Sequence, residues 1–207
     1  MARSYKPAVY LPWDPVRVRQ DFLDFAQRHI NRTEFSLVEI AFDLAVRAHE
    51  GQLRMSYEPY ITHPIELATI LMRDLHFRDG EVISSALLHD VLEDCGDKVD
   101  ERTIAHAVGD KVLASVRVLS KKSGVDLLHQ VRRDGTITDC LIKLCDKLHN
   151  IATVHHMQPA DARRVVRDAR AKFVPFAHET EMRLPLSEKW RAKWLADELD
   201  RACRAHE

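Results

Sequence analysis

Four ionisable side chains crowd into the stretch Ser84 to Asp94: His89, Asp90, Glu93 and Asp94. Ala and Leu dominate that stretch and neither Gly nor Pro interrupts it, which predicts a helix, the fourth of the chain, over 79–94. At ~100° per residue the four groups fall within roughly 140° of one face, with Leu88, Val91 and Leu92 opposite. A helix that is apolar on one side belongs against a core. Four ionisable groups on its other side then need either water or a compensating charge. One reading is a solvated acidic face, the usual place of Glu-Asp pairs. The other is a divalent cation, with His89 and Asp90 as ligands and Glu93 and Asp94 managing a water.

A second constellation lies in Ile142 to Thr153. On a helical wheel Lys143, Asp146, Asn150 and Thr153 share a narrow polar stripe, and Leu141, Leu144, Leu148 and Ile151 fill the opposite side. Alone, this is a local Lys143–Asp146 pair, worth at most a few tenths of a kcal/mol, about the value of an exposed helical pair. Beside His89 and Asp90, the ligand reading gains. A hydrolytic metal needs several protein ligands and an open position. His63, placed just before Pro64 at a predicted helix start, and Asp146 complete a set of two His and two Asp. Such a nitrogen–oxygen set suits Mn²⁺, Fe²⁺ or Zn²⁺.

The elements that must hold these groups read as helices throughout. Residues 1–14, with Pro7, Pro12 and Trp13, form an irregular arm, and Asp14-Pro15 starts the first helix, which runs to Ile30. A second runs from Ser36, capped by its own hydroxyl with Glu39 as partner, to Glu50, ending at Gly51, with Ile40, Leu44 and Ala48 along its inner face. Gly51 to Thr62 is a loop rich in side-chain function (Gln52, Arg54, Ser56, Tyr57, Glu58, Tyr60). A third helix spans His63 to Leu75. Two short helices follow the fourth, over 100–108 and 110–119, divided by Gly109. Residues 120–137 are polar, with Lys121, Lys122, Arg132 and Arg133, and carry no predicted element. Helices over 138–155, 163–177 and 187–205 close the chain, the last with Trp190, Trp194 and Leu199 on one side. No strand-period run, internal repeat or low-complexity segment occurs. The expected fold class is all-α, an orthogonal helical bundle forming a single domain, with 1–35 as N-terminal arm and helix and 36–207 as the functional domain.

The chain has 207 residues, 45% hydrophobic and 30% charged, with a net charge of −1. It is long enough for one good core. Without a global positive field, a nucleic-acid polymer or a membrane surface is not the expected partner, whereas a local basic pocket for one nucleotide is compatible. Cys95, Cys140, Cys145 and Cys203 form no Cys-x-x-Cys pair and read as buried thiols of a reducing compartment. Apolar runs are too short to span a bilayer, so a soluble cytoplasmic protein is expected. The Trp190/Trp194 helix is equally a core helix or a self-association surface of a homo-oligomer.

Four blocks, in order, resemble a known family: 48–54 (Ala-His-Glu-Gly-Gln-Leu-Arg), 58–64 (Glu-Pro-Tyr-Ile-Thr-His-Pro), 86–94 and 142–150. Together they are similar to the hydrolase domain of RelA/SpoT-type enzymes, in the HD superfamily of metal-dependent phosphohydrolases, over residues 36–180. The resemblance implies a stand-alone small alarmone hydrolase of HD-domain fold. Such an enzyme removes the 3′-pyrophosphate from ppGpp or pppGpp, with Mn²⁺ as the usual metal. By position His63, His89, Asp90 and Asp146 match the metal ligands, and Glu93 and Asp94 match the catalytic pair that orients and deprotonates the water. Arg54 matches the residue that stacks on the base and Asn150 a nucleotide contact, while Ser56, Lys121, Lys143 and Thr153 match positions lining the nucleotide site. Departures cluster on the nucleotide side. Tyr57 stands where the family has Gly, Cys95 where it has Thr, and Ala152 where it has Arg; Asp168-Ala169 replaces Glu-Thr, and Phe173 replaces a Tyr. These leave open a second substrate class, adenosine alarmones of the pppApp type or another phosphorylated nucleotide such as NADPH.

Overall fold

The computed structural model describes residues 4–10, 12–121 and 124–206; Lys122 of the basic run lies outside them. Among the described residues the secondary structure is helical, and one isolated antiparallel bridge, Leu53 to Pro59, joins the two sides of the loop after the second helix. The chain divides into two compact units, one spanning Tyr10–Asp139 and the other combining Met1–Val9 with Cys140–Glu207.

The first unit holds α1 (Pro15–His29), α2 (Phe35–Ala48), α3 (Thr62–Arg73), α4 (Gly80–Leu88), α5 (Val91–Asp94), α6 (Glu101–Val108), α7 (Asp110–Leu119) and α8 (Leu127–Asp134). Asp14 caps α1 by accepting the N–H groups of Val16 and Arg17, and Pro15 takes the first helical position, where its missing N–H costs nothing. α4 lies at the centre, packed on α2, α3 and α7. Its nine residues are almost wholly buried, including Ile83, Ala86, Leu87 and Leu88. Fully burying one Leu or Ile side chain stabilises by about 1.5–3 kcal/mol, so this short helix is pinned by packing rather than by propensity.

Three expectations need correcting here. The helix over 79–94 is two helices, because the chain leaves the helical ladder at His89 and Asp90. The His89 Nδ1 donates to the Ala86 carbonyl at 2.9 Å, the acceptor that Asp90 N–H would take in an unbroken helix. Ser36 does not cap α2: the N-cap is Glu34, which makes no side-chain cap bond there and instead accepts the Gly80 N–H at the start of α4. A Cβ on Gly80 would lie 2.8 Å from the Glu34 Cβ and 2.9 Å from its carbonyl oxygen, so only Gly fits this approach. Ile40 is 44% exposed, while α2 buries Val38, Ala41, Phe42, Leu44, Ala45 and Ala48. The inner stripe starts from Val38, two residues and about 200° away from Ile40.

The polar segment 120–137 hides α8, capped by Asp126 accepting the His129 N–H at 2.9 Å. Its Gln130 is fully buried, and its Nε2 donates to the Val118 and Ser120 carbonyls, each at 2.8 Å, satisfying the C-terminal end of α7. Lys98 does the same for α2, donating to the Ala48 and Glu50 carbonyls.

The second unit holds α9 (Ile137–Ala152), a single 3-10 turn (Val154–His156), α10 (Pro159–Asp168), a π segment (Ala169–Phe173), α11 (Val174–Arg183) and α12 (Lys189–Arg204). Thr136 and Asp139 form a reciprocal capping box at the start of α9, two residues before its expected start. The helix expected over 163–177 belongs to a longer helical run over 159–183. Pro159 sits inside it at the first turn, and Pro175, which has no N–H to give and whose ring crowds the carbonyl four residues back, coincides with the widened π turn. α12 buries Ala192, Leu195, Ala196, Leu199 and Cys203, whereas Trp190 is 40% exposed and Trp194 half-buried, so the tryptophans do not line the buried face. The arm is tied down at Tyr5, whose N–H reaches Glu198 at 3.0 Å. All four cysteines are free and buried.

At Tyr57 the structure resolves what replacing Gly does. The backbone stays left-handed, φ +64°, and the ring is 81% exposed, so the loop keeps the glycine conformation and the side chain faces solvent. An L side chain in that region costs roughly 1–2 kcal/mol, partly offset by the greater unfolded-state freedom of Gly. Tyr57→Gly is therefore expected to stabilise the protein by about 0.5–1 kcal/mol, read as a higher midpoint in urea unfolding. A lower midpoint would show that the exposed ring packs on something.

Candidate metal and nucleotide site

In the first unit α3 and the α4–α5 turn aim three ligand-type side chains at each other. His63 is the second residue of α3, 3% exposed, and His89 follows α4, 1% exposed. Their nitrogens lie within 4.8 Å of one another. The Asp90 carboxylate stands between them, Oδ1 2.7 Å from His89 Nε2 and Oδ2 3.6 Å from His63 Nε2. The His89 Nδ1–H is committed to the Ala86 carbonyl. In the neutral ring that leaves Nε2 a lone pair facing a carboxylate oxygen. Two acceptors at 2.7 Å repel unless a proton or a cation joins them. A hard divalent cation with N and O ligands meets that requirement, and the second imidazole nitrogen bound to a carbonyl is the usual way of orienting a metal-ligating His.

Glu93 and Asp94 follow on α5. The Glu93 Oε2 accepts the Lys121 N–H at 2.9 Å, so the Lys121 backbone, rather than its ammonium, anchors this carboxylate. Burial, then the charge of Asp90, pushes the Asp94 carboxyl above its ordinary range.

The loop between α2 and α3 supplies a support that the sequence reading missed. Tyr60 donates its hydroxyl to Asp90 Oδ2 at 2.6 Å. Its ring stacks on His49, with centroids 4.6 Å apart. His49 Nδ1 meets Gln52 Oε1 at 2.8 Å, and the Gln52 amide donates to the Asp94 carbonyl at 3.3 Å and to the Cys95 sulfur at 3.5 Å. Burial holds the His49 imidazole below its ordinary pKa. The only sequence signal was position: Tyr60 lies three residues before His63. If Asp90 ligates a divalent cation, removing the hydroxyl in Tyr60→Phe should weaken its binding about 10–100-fold, the range found for lost outer hydrogen bonds to metal ligands. Titration calorimetry checks this, and an unchanged affinity would show the contact to be structural only.

Arg54 and Ser56 lie on the same loop, both half-buried. Arg54 N–H and the Glu58 carbonyl pair at 2.8 Å, and Ser56 gives its hydroxyl to Glu58 Oε2 at 3.0 Å. In the second unit, α9 brings together the other set. The Asp146 carboxylate, 7% exposed, accepts from Lys143 Nζ and Asn150 Nδ2, each at 2.6 Å. Thr153 returns its hydroxyl to the His149 carbonyl at 2.9 Å. Lys147, not foreseen, lies over the Phe173 ring at 4.5 Å, and burial lowers its pKa.

An all-α fold with a buried His89 beside a half-buried Asp90 after a central helix defines the class, and the chain belongs to the HD domain family, which it matches over residues 41–182. Its relatives are more particular. It is 34% identical over 169 residues to the guanosine-3′,5′-bis(diphosphate) 3′-pyrophosphohydrolase of Vibrio cholerae, covering 75% of this chain and 23% of that protein. It is 34% identical over 149 residues to the Haemophilus influenzae protein of the same name, covering 65% and 21%. It is 32% identical over 162 residues to the bifunctional (p)ppGpp synthase/hydrolase SpoT of Escherichia coli, covering 73% and 23%. The chain thus spans less than a quarter of the length of these curated relatives. A solved structure of a metazoan ortholog of SpoT, described as hydrolysing ppGpp, shares the fold with a TM-score of 0.61 at 22% identity, covering 82% of this chain and 95% of that one. Among the described residues, no helix is long and apolar enough to cross a membrane.

Proposed function

We propose that the chain is a metal-dependent 3′-pyrophosphohydrolase of guanosine alarmones, converting ppGpp or pppGpp to GDP or GTP plus pyrophosphate. One observation carries the reading: His63, His89 and Asp90 converge with a geometry suited to a divalent cation, with Glu93 and Asp94 one turn on. The similarity to guanosine-3′,5′-bis(diphosphate) 3′-pyrophosphohydrolases supports the substrate class. Asp146 joins the three as fourth ligand on the strength of its sequence block, and Mn²⁺ is the metal we assign. When bound, such an ion acidifies water and offsets charge on phosphoryl oxygens. Glu93 and Asp94 orient and deprotonate the attacking water, the bond from phosphorus to the 3′-oxygen breaks, and the departing 3′-oxygen takes up a proton to become the 3′-hydroxyl. Arg54 stacks on the purine, with Ser56, Lys121, Lys143, Asn150 and Thr153 around the nucleotide. Residues 36–207 form the hydrolase domain, and free buried cysteines suit a cytoplasmic setting.

The test is incubation of purified protein and Mn²⁺ with ppGpp, pppGpp, pppApp and NADPH, followed by anion-exchange separation. Release of pyrophosphate from the guanosine alarmones is expected, and no turnover of either would sink the proposal. Tyr57 and Ala152 favour a second reading, adenosine alarmones or another phosphorylated nucleotide such as NADPH, which a clear preference for guanosine would exclude.

A further inference from the structure

α10 and the π segment carry Arg163, Arg167 and Arg170 at spacings of four and three, which places their guanidinium groups along one face. That face lines a cavity of about 490 Å³, completed by Val166, Ala171 and His206, with no acidic side chain among the described lining residues. Like charges in this pattern destabilise a helix. Two carboxylates lie nearby, one of which reaches Arg170. Asp161 pairs with Arg164. Asp200 is shared, 3.8 Å from Arg170 and 2.6 Å from Arg204. Arg163 and Arg167 form no ion pair or hydrogen bond with any described side chain. The His206 ring lies parallel to His155 at 6.3 Å, and His155 is against His156 at 4.0 Å. In a chain of net charge −1 this concentration is local.

We propose that this cavity is an anion site for an organic phosphate of nucleotide size, separate from the residues assigned to catalysis. Guanidinium forks match phosphoryl oxygens two at a time, and they hold charge at any physiological pH. The volume falls in the range of small-ligand sites, roughly 300–1,000 Å³. It exceeds what a single inorganic phosphate fills, and Val166 and Ala171 offer the non-phosphate part of a ligand an apolar floor. The π turn contributes by presenting Arg170 and Ala171, adjacent in sequence, to one cavity.

The site makes no use of the proposed activity, and its test keeps the two apart. GDP and pyrophosphate are titrated calorimetrically into the full chain in EDTA, in an Arg54→Ala/Asn150→Ala background that disables the proposed nucleotide pocket. Binding is expected to persist there. It should weaken about tenfold or more when Arg163→Gln/Arg167→Gln is added, as two charge-assisted contacts are lost. Both arginines are exposed, and an unchanged melting temperature confirms that the variant is folded. Affinity that is the same with and without Arg163 and Arg167, or no heat from either probe, overturns the proposal whatever the outcome of the alarmone assay.

Discussion

Asp90→Asn is expected to abolish Mn²⁺ binding at micromolar metal, lower turnover about a thousandfold, and leave the metal-free protein at least as stable as the parent. The first two effects follow from charge. A ligating carboxylate replaced by an amide removes several kcal/mol of charge stabilisation, and about 4 kcal/mol corresponds to a thousandfold in rate. The third follows from the geometry. In the parent, Asp90 Oδ1 faces His89 Nε2 at 2.7 Å while the His89 Nδ1–H is held by Ala86. Above the imidazole titration range this pair sets a lone pair against a carboxylate. An Asn amide placed there donates to Nε2 and still accepts the Tyr60 hydroxyl on its oxygen. Metal-free melting curves at pH 8 check the sign. Clear destabilisation by the amide would mean that His89 is protonated in the folded state and that the contact is an ion pair rather than an empty ligand set. Parent-like turnover would remove Asp90 from the ligands.

How much of this was legible in the sequence depends on which interaction set each feature. Asp14-Pro15 fixes the start of α1 through chemistry two and three residues away, and it is found where the pattern puts it. Gly109 likewise divides α6 from α7 at its own position. The break at His89 was not legible, because Ala, Leu and Val continue the apolar pattern through it, and the competing bond from His89 to Ala86 leaves no mark on periodicity. α8 was missed for the reverse reason. Its buried Gln130 reads as polar, and its purpose is to satisfy carbonyls at the end of α7, a helix whose proximity only the tertiary fold supplies. Among candidate site residues, the convergence of His63, His89 and Asp90 was readable because their types are rare on a helix bound for a core. Tyr60 was not, since a Tyr in a loop has many uses and only its 2.6 Å contact with Asp90 picks out this one. The assigned Lys121 was readable as a cation, yet what it does in the structure is hold Glu93 with a backbone N–H, which any residue but Pro would supply.

That anchor separates the two carboxylates of α5 and leads to the second large effect. Asp94→Asn is expected to lower kcat by about 10²–10⁴, the range for a lost general base, while Mn²⁺ affinity stays within a few-fold of the parent. Glu93→Gln should cost less, because a Gln side chain can still accept the Lys121 N–H through its amide oxygen and keep its place. The asymmetry rests on the surroundings of each group. Glu93 has one oxygen committed to the Lys121 N–H, which fixes its place rather than its task. Asp94 is pushed above its ordinary range by burial and by the nearby charge of Asp90, which raises its affinity for a proton. A carboxylate so placed is the better acceptor when a water gives up its proton. Parallel titrations of Mn²⁺ into both variants, with single-turnover rates at saturating metal, distinguish the roles. A larger rate loss in Glu93→Gln than in Asp94→Asn would exchange the two assignments. A loss of metal binding in Asp94→Asn would make Asp94 a ligand in place of the base.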